Sequence, residues 1–425
     1  MSTLPTSRAT DVAGNIWNIT PVPLEFAPPS SAHVDVFAIA NALFGCESLI
    51  LQRNALTSVE IPLYGEYDGS LDEVLQRLFE LVLDRPLRVV FTQNMEDRQL
   101  PLSPINGAET LTDGYTCLFS TGTDSYSTIL NATSQLKDVR GCFVSHNDLM
   151  KLRGLGNAFA QQLSSQKGIE ITRINASEHG QAIRRSRGAF YVLNGLLLGT
   201  KNVIMGETGV TMYQPRFTLL DEVTITAHPQ LLSLVADMTR KVLGEKPKIV
   251  LPCESLTKAE VVAACPEKGM LASTFSCSGT TMFATSEGAN CGTCFSCIVR
   301  RLAFLVCGEQ DCFYPYDVTG ANASQQALDN IIHLLRFSID YARDRDAVPW
   351  YTQEILKQYG RSELFERFAF DNLAGLMLLS ERGGINSALA LMREISRRKV
   401  DDSMLHERVE VVRSRAAKMD FGRSI

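Results

Sequence analysis

The sequence lacks any run approaching the roughly 18 apolar residues that a membrane-crossing helix needs. Its first 16 residues also lack the basic and apolar segments of an export signal. No internal repeat or low-complexity tract is present, and there is no excess of positive charge: 41 Lys and Arg stand against 47 Asp and Glu, a formal net charge of -6. These absences speak against a membrane partner and against a surface built for long nucleic acid, and they make a cytoplasmic location the expectation. Hydrophobic residues at 45% and charged residues at 21% exclude wholesale disorder. A chain of 425 residues has room for two or three domains.

Cysteine is what the chain does have. There are eleven, an odd number without an export signal, so thiols or a metal are expected and a disulfide framework is not. Cys46, Cys117 and Cys142 stand alone, whereas Cys277, Cys291, Cys294 and Cys297 crowd together. Four thiolates at such spacing can close a tetrahedral zinc site, which is structural because no position is left for water. An iron-sulfur cluster also uses cysteine quartets, and zinc is the stronger reading.

Three regions follow from patterning. Residues 1–112 read as an α+β extension. It has a Pro/Ser/Thr-rich irregular arm over 3–31, a helix over 71–82 opened by a capping box of Ser70 and Glu73, a strand over 87–92 and a linker over 94–113. Residues 113–310 alternate strands (116–119, 140–145, 169–174, 203–206) with helices (124–136, 148–166, 188–198, 231–243). A further helix begins at Thr257, with Glu260 completing its capping box. Such alternation predicts an α/β fold, a parallel sheet with helices on both faces. Residues 311–425 read as helical, over 324–343, 351–359, 362–379, 386–399 and 404–418. The mixed charges after Met392 suit a solvated helix face better than a nucleic-acid tail.

Ser120-Thr121-Gly122-Thr123-Asp124-Ser125 falls where a strand ends and a helix begins. Backbone amides, the helix dipole and three hydroxyls there could cradle a pyrophosphate. An ordinary turn would use the same residue types. Arg184, Arg185, Arg187, Lys258, Arg300 and Arg301 form a cationic set, each of which alone reads as a surface charge. Lys258 differs, because a cation in the first turn of a helix opposes the dipole unless an anion is near.

Taken together, these segments resemble the PP-loop ATP pyrophosphatases, and among them most closely the 7-cyano-7-deazaguanine synthases (QueC). Residues 115–307 carry the likeness. Ser120 to Ser125 is similar to the family's Ser-Gly-Gly-x-Asp-Ser loop, Leu256-Thr257-Lys258-Ala259-Glu260 to its Leu-Thr-Lys-Ala-Glu segment, and the cysteine quartet to its zinc site. Arg300 and Ala303-Phe304 are similar to its ending, and Arg187-Gly188 sits where its Arg-Asn helix start falls. Thr121 stands where the family has glycine, so its φ must suit a β-branched residue. The loop between Cys277 and Cys291 is longer than the family's, which implies a different pocket. Gly206-Glu207 through Tyr213-Gln214-Pro215-Arg216 follows the family's Tyr-Pro-Asp-Cys-Arg stretch only loosely.

The resemblance implies a HUP-like core and an enzyme that binds ATP with Mg2+ and adenylates 7-carboxy-7-deazaguanine. Asp124, Lys258 and Arg187 would be catalytic, Ser120, Thr121, Gly122, Thr123, Asp124 and Ser125 would bind the nucleotide, and the zinc would be structural. The extra terminal regions resemble those of enlarged QueC-like proteins in bacterial anti-phage systems. That likeness implies acyl transfer to an amine of a partner protein docked on those regions. A nitrile-forming synthase using ammonia, a tRNA-modifying PP-loop enzyme and a catalytically silent zinc-bound scaffold are the other readings.

Overall fold

The computed structural model describes all residues except 1–5, 21–29, 53–54, 94–110, 146–149, 176–184, 214–224, 278–289, 321–322, 349 and 415–416. The expected linker over 94–113 therefore lies almost wholly outside the described residues.

The amino-terminal region departs from expectation in three places. Strands β1 (Ser7–Asp11) and β2 (Ile16–Ile19) occupy the stretch expected to be an irregular arm, and they pair antiparallel. The cause is local. The Asp11 carboxylate accepts from the amides of Ala13 and Asn15, from Asn15 Nδ2 and from Trp17 Nε1, which ties the turn together. Next comes α1 (Ser31–Leu51), long and apolar enough to cross a membrane by length and composition, contrary to the expectation that no stretch would be. It is mostly buried inside the fold, as a core helix is, and with apolar residues on every side it offers no one-faced periodicity to read. After β3 (Leu56–Leu63) comes α2 (Gly69–Leu83), capped by the Asp68 carboxylate on Ser70 N at 2.9 Å rather than by the Ser70–Glu73 box. Strand β4 (Arg88–Gln93) completes a four-stranded sheet of order β2-β1-β3-β4.

The middle region is an α/β layer. In chain order it contains β5 (Thr112–Phe119), α3 (Thr123–Gln135), β6 (Val139–Ser145), α4 (Met150–Lys167), β7 (Ile171–Asn175) and α5 (Arg187–Leu196). It continues with β8 (Thr200–Ile204), α6 (Gly209–Tyr213), α7 (Pro229–Leu243), β9 (Lys248–Val250), α8 (Lys258–Ala264) and α9 (Phe295–Cys307). The sheet runs β7-β6-β5-β8-β9, every pair parallel. Tyr126, Ile129, Phe159 and Leu163 of α3 and α4 share one core with Cys117, Phe119 and Phe143 of the sheet. On the opposite face, Phe190 and Leu193 of α5 and Leu231 and Val235 of α7 share another with Leu118, Val203 and Ile249. The amino-terminal region packs outside that second face, with Phe44 of α1 stacked on Phe190 at 4.9 Å.

The last region supplies α10 (Gln325–Arg343), α11 (Trp350–Tyr359), α12 (Ser362–Arg382), α13 (Ser387–Arg397) and α14 (Asp402–Ser414), each within a few residues of its expected span. Helix α12 lies close on α9: a Cβ added to Gly375 would come within 2.8 Å of Leu302 Cβ. Residues 423–425 run antiparallel beside β9, with Ile425 N donating to Ile249 O at 3.0 Å and Leu251 N to Arg423 O at 3.2 Å. The edge of the parallel sheet is thereby covered.

Candidate functional site

The chain lays β5, β6 and β7 outward in one direction, then returns to place β8 and β9 on the other side of β5. The order thus switches between β5 and β8, and the carboxyl ends of strands at such a switch point are where sheets of this kind bind ligands. The Ser120–Ser125 segment leaves β5 at that point. Gly122 caps α3 with extended backbone (φ -78, ψ 156). Thr121 does not have a positive φ, since Asp84 and Asp138 are the only described non-glycine residues that do, so a β-branched side chain fits there without strain.

The loop is held from within and from behind. Ser120 N donates to Ser125 Oγ (3.1 Å), Ser125 Oγ to the Ser120 carbonyl (2.7 Å), and Gly122 N to Ser120 Oγ (3.2 Å). Phe275 N donates to the Thr121 carbonyl at 2.7 Å. The Thr123 hydroxyl faces inward, accepting from Arg300 Nη1 at 2.9 Å, and so braces the loop.

Lys258 opens α8, whose capping box is present as expected: Glu260 N donates to Thr257 Oγ1 and Thr257 N to Glu260 Oε2. The anion that a cation at this position requires is Asp124, with Lys258 Nζ 2.6 Å from Asp124 Oδ2 and both side chains 16% exposed. Asp124 Oδ1 is buried with no hydrogen-bond partner, which leaves it able to ligate a cation such as magnesium. Gly206 follows β8, and a Cβ there would lie 2.4 Å from Thr128 Oγ1, so glycine is what lets the end of β8 close on α3. Glu207 comes next. Burial pushes its carboxyl up, with the Asp124 charge adding to the effect and the Arg187 and Lys258 charges opposing it. These four charges share one site. No role for Glu207 follows from the sequence pattern, although its place three residues past β8 at the switch point is a usable signal.

The cationic set divides. Arg187, the first residue of α5, donates from Nη2 to Thr226 Oγ1 at 3.3 Å and acts electrostatically on Glu207. Arg185 turns away to the end of α2, donating to the carbonyls of Leu81 (2.9 Å) and Val82 (2.8 Å). Arg184 lies outside the described residues. Arg300, fully buried, joins Asp311, Thr274 and the Leu271 carbonyl to Thr123. Arg301 pairs with Asp317 at 2.6 Å. Among these six, Arg187 and Lys258 are the two whose charges act on Glu207, and Lys258 is the one paired with Asp124.

The four expected cysteines converge. Their sulfurs all lie within 4.8 Å of one another, with Cys277–Cys294 and Cys291–Cys297 each at 3.8 Å. A regular tetrahedron with zinc-sulfur bonds of 2.3 Å has edges of about 3.8 Å, so the quartet fits a four-coordinate metal such as zinc. Gly292 (φ +87) makes the tight turn, and a Cβ there would strike the Tyr316 carbonyl at 2.1 Å. The amides of Thr293 and Cys294 donate to Cys291 Sγ at 3.4 and 3.3 Å. Hydrogen bonding among the thiols pulls Cys291 down and pushes Cys277 and Cys297 up. The long loop expected to build a pocket, residues 278–289, lies outside the described residues. Because Cys294 caps α9 and Arg300 sits two turns along it, the metal quartet and the brace on Thr123 share one helix.

The carboxyl-terminal helices reach the first turn of α8, which the sequence did not reveal. Glu260 accepts from Arg367 Nε (2.8 Å) of α12 and from Arg408 Nη2 (2.9 Å) of α14, while Arg408 Nε donates to Asp371 Oδ1 at 2.7 Å. Beyond β9, Glu254 accepts from Tyr213 Oη at 2.5 Å and from Arg361.

Residues 222–308 match the family model described as the queuosine biosynthesis protein QueC. No curated protein matches the chain. The matched segment includes Lys258 and all four cysteines and ends before the carboxyl-terminal helices begin, so a QueC-like segment is set within the α/β fold.

Proposed function

We propose that this protein is an ATP-dependent ligase. It would adenylate the carboxylate of 7-carboxy-7-deazaguanine, or a close analogue, and then pass the acyl group to an amine of a partner protein in anti-phage defence. The observation that carries the reading is the ion pair of Asp124 and Lys258. It joins two segments 134 residues apart at the carboxyl end of β5, and one of them lies inside the QueC-like match.

In this reading a carboxylate oxygen attacks the α-phosphorus, the bond to pyrophosphate breaks, and the amine later displaces AMP while losing a proton. The first-turn amides of α3 and the hydroxyls of Ser120 and Ser125 would bind the leaving pyrophosphate, where charge builds in the transition state. Lys258 would turn from Asp124 to a phosphate oxygen, and Arg187 would balance the remaining charge. Magnesium, held at Asp124 Oδ1, would neutralise phosphate charge. The zinc quartet would fix α9, and through Arg300 the loop, without meeting the substrate. Residues 1–112 and 311–425 would carry the partner protein, and ATP and reduced thiols are both met in the cytoplasm.

The test is release of pyrophosphate and AMP from ATP and magnesium, with and without 7-carboxy-7-deazaguanine, followed by intact-mass analysis of added proteins. Release that requires the deazaguanine, with a matching mass gain on a protein, is the expected result. Formation of the nitrile from ammonia would instead make it a synthase. No release at all would leave the silent zinc-bound scaffold.

A further inference from the structure

We propose that Glu47, on α1 of the amino-terminal region, positions Arg187 for nucleotide binding, so that residues 1–112 complete the site as well as offering a surface to a partner. The inference rests on the reading of Arg187 as a phosphate ligand given above.

Helix α5 has no cap of its own. Ser186, in the capping position, has helical backbone angles (φ -71, ψ -15) and makes no side-chain cap bond to its helix. The cap comes from another part of the chain. The Glu47 carboxylate accepts from Arg185 N at 2.7 Å, from Ser186 N at 3.0 Å and from the Ser186 hydroxyl. A carboxylate at a helix amino terminus satisfies otherwise unpaired amides and is favoured by the dipole. Glu47 is 5% exposed, so water does not substitute easily for it.

The segment is held on two further sides. The Arg185 side chain is anchored on the last carbonyls of α2. Opposite, a Cβ on Gly188 would lie 1.4 Å from the Thr226 carbonyl oxygen, so the start of α5 has no room to shift that way. The same Thr226 takes the Arg187 guanidinium on its hydroxyl. Arg187 is therefore the first helical residue after a three-sided anchorage, two sides of which are built by α1 and α2. Its charge acts on Glu207, as do those of Asp124 and Lys258. Freeing the helix start would let that charge drift from the others.

The experiment compares the full-length wild type with Glu47→Gln, Glu47→Asp, Arg187→Ala and the Glu47→Gln/Arg187→Ala double variant. It reads equilibrium ATP binding with magnesium, KM and kcat for pyrophosphate release, and Tm. Glu47→Gln should weaken ATP binding about tenfold, the scale of a hydrogen bond to a charged group, through KM rather than kcat. It should have no further effect once Arg187 is removed. Glu47→Asp keeps the charge with a shorter reach and should fall between. Unchanged ATP binding in Glu47→Gln beside a loss in Arg187→Ala, or effects that simply multiply in the double variant, would overturn the inference, as would a lowered Tm with ATP binding intact. A wild type that binds no ATP would instead overturn the functional reading on which it rests.

Discussion

At the scale of the residue, Lys258 shows how far a physical argument from sequence can go. A lysine at the first position of a helix demands an anion, and the structure supplies Asp124 at 2.6 Å. Which anion could not be read, because 134 residues separate the two and only the sheet order brings them together. Thr121 is the converse case, since its fit depends on a φ that no sequence prints. The pair makes a sharp prediction. Asp124→Asn keeps the volume and the loop but removes both the partner of Lys258 and the charge of the unpaired Oδ1. Pyrophosphate release should fall by at least about 100-fold, on the order of removing one preorganised electrostatic group, while metal content stays at the wild-type value. Turnover surviving in this variant would remove Asp124 from the chemistry.

At the scale of the element, legibility followed amphipathicity. The five carboxyl-terminal helices and the strand-helix alternation of the middle region showed themselves because one face is apolar and the other is not. Helix α1 did not, since its apolar residues fall on every side, and β1 and β2 were hidden behind a turn tied by one aspartate. Burial of α1 has a consequence for pH. His33, 2% exposed near its start, is held by burial at a pKa of about 4, against an ordinary value of 6.5. The folded value lies below the unfolded one, so the folded state favours neutral imidazole. The associated stability is fully present above pH 6.5 and is lost as pH falls toward 4. At 1.36 kcal/mol per unit the loss reaches about 3 kcal/mol. Thermal unfolding of wild type and His33→Gln between pH 7 and 4.5 should therefore converge at the acid end. Parallel curves would show that His33 is not buried neutral.

At the scale of the whole molecule, the parallel sheet with its flanking helices was legible in the sequence, but its dependence on its neighbours was not. Glu260 belongs to the Leu-Thr-Lys-Ala-Glu segment, yet two of its ion-pair partners, Arg367 and Arg408, come from the carboxyl-terminal helices. Arg408 and Asp371, 9% and 4% exposed, form a buried pair beside it. Such a pair adds little to stability when whole, but breaking it by removing one partner costs about 3–5 kcal/mol. Leu302 packs on Gly375 of α12, and residues 423–425 cover the edge of β9. On the other face, α5 loses both Glu47 and Phe44 if residues 1–112 are absent. A fragment of residues 113–310 would thus expose two apolar faces, an unpaired strand edge and an uncapped helix, each of which draws on the roughly 5–15 kcal/mol by which a domain is stable. Expressed with zinc, it should show no cooperative thermal transition and should aggregate, whereas the full chain unfolds cooperatively. A monomeric fragment with a sharp transition and bound zinc would mean that the flanking regions rest on a self-sufficient core, and that their contacts with Glu260 and Ser186 serve something other than folding.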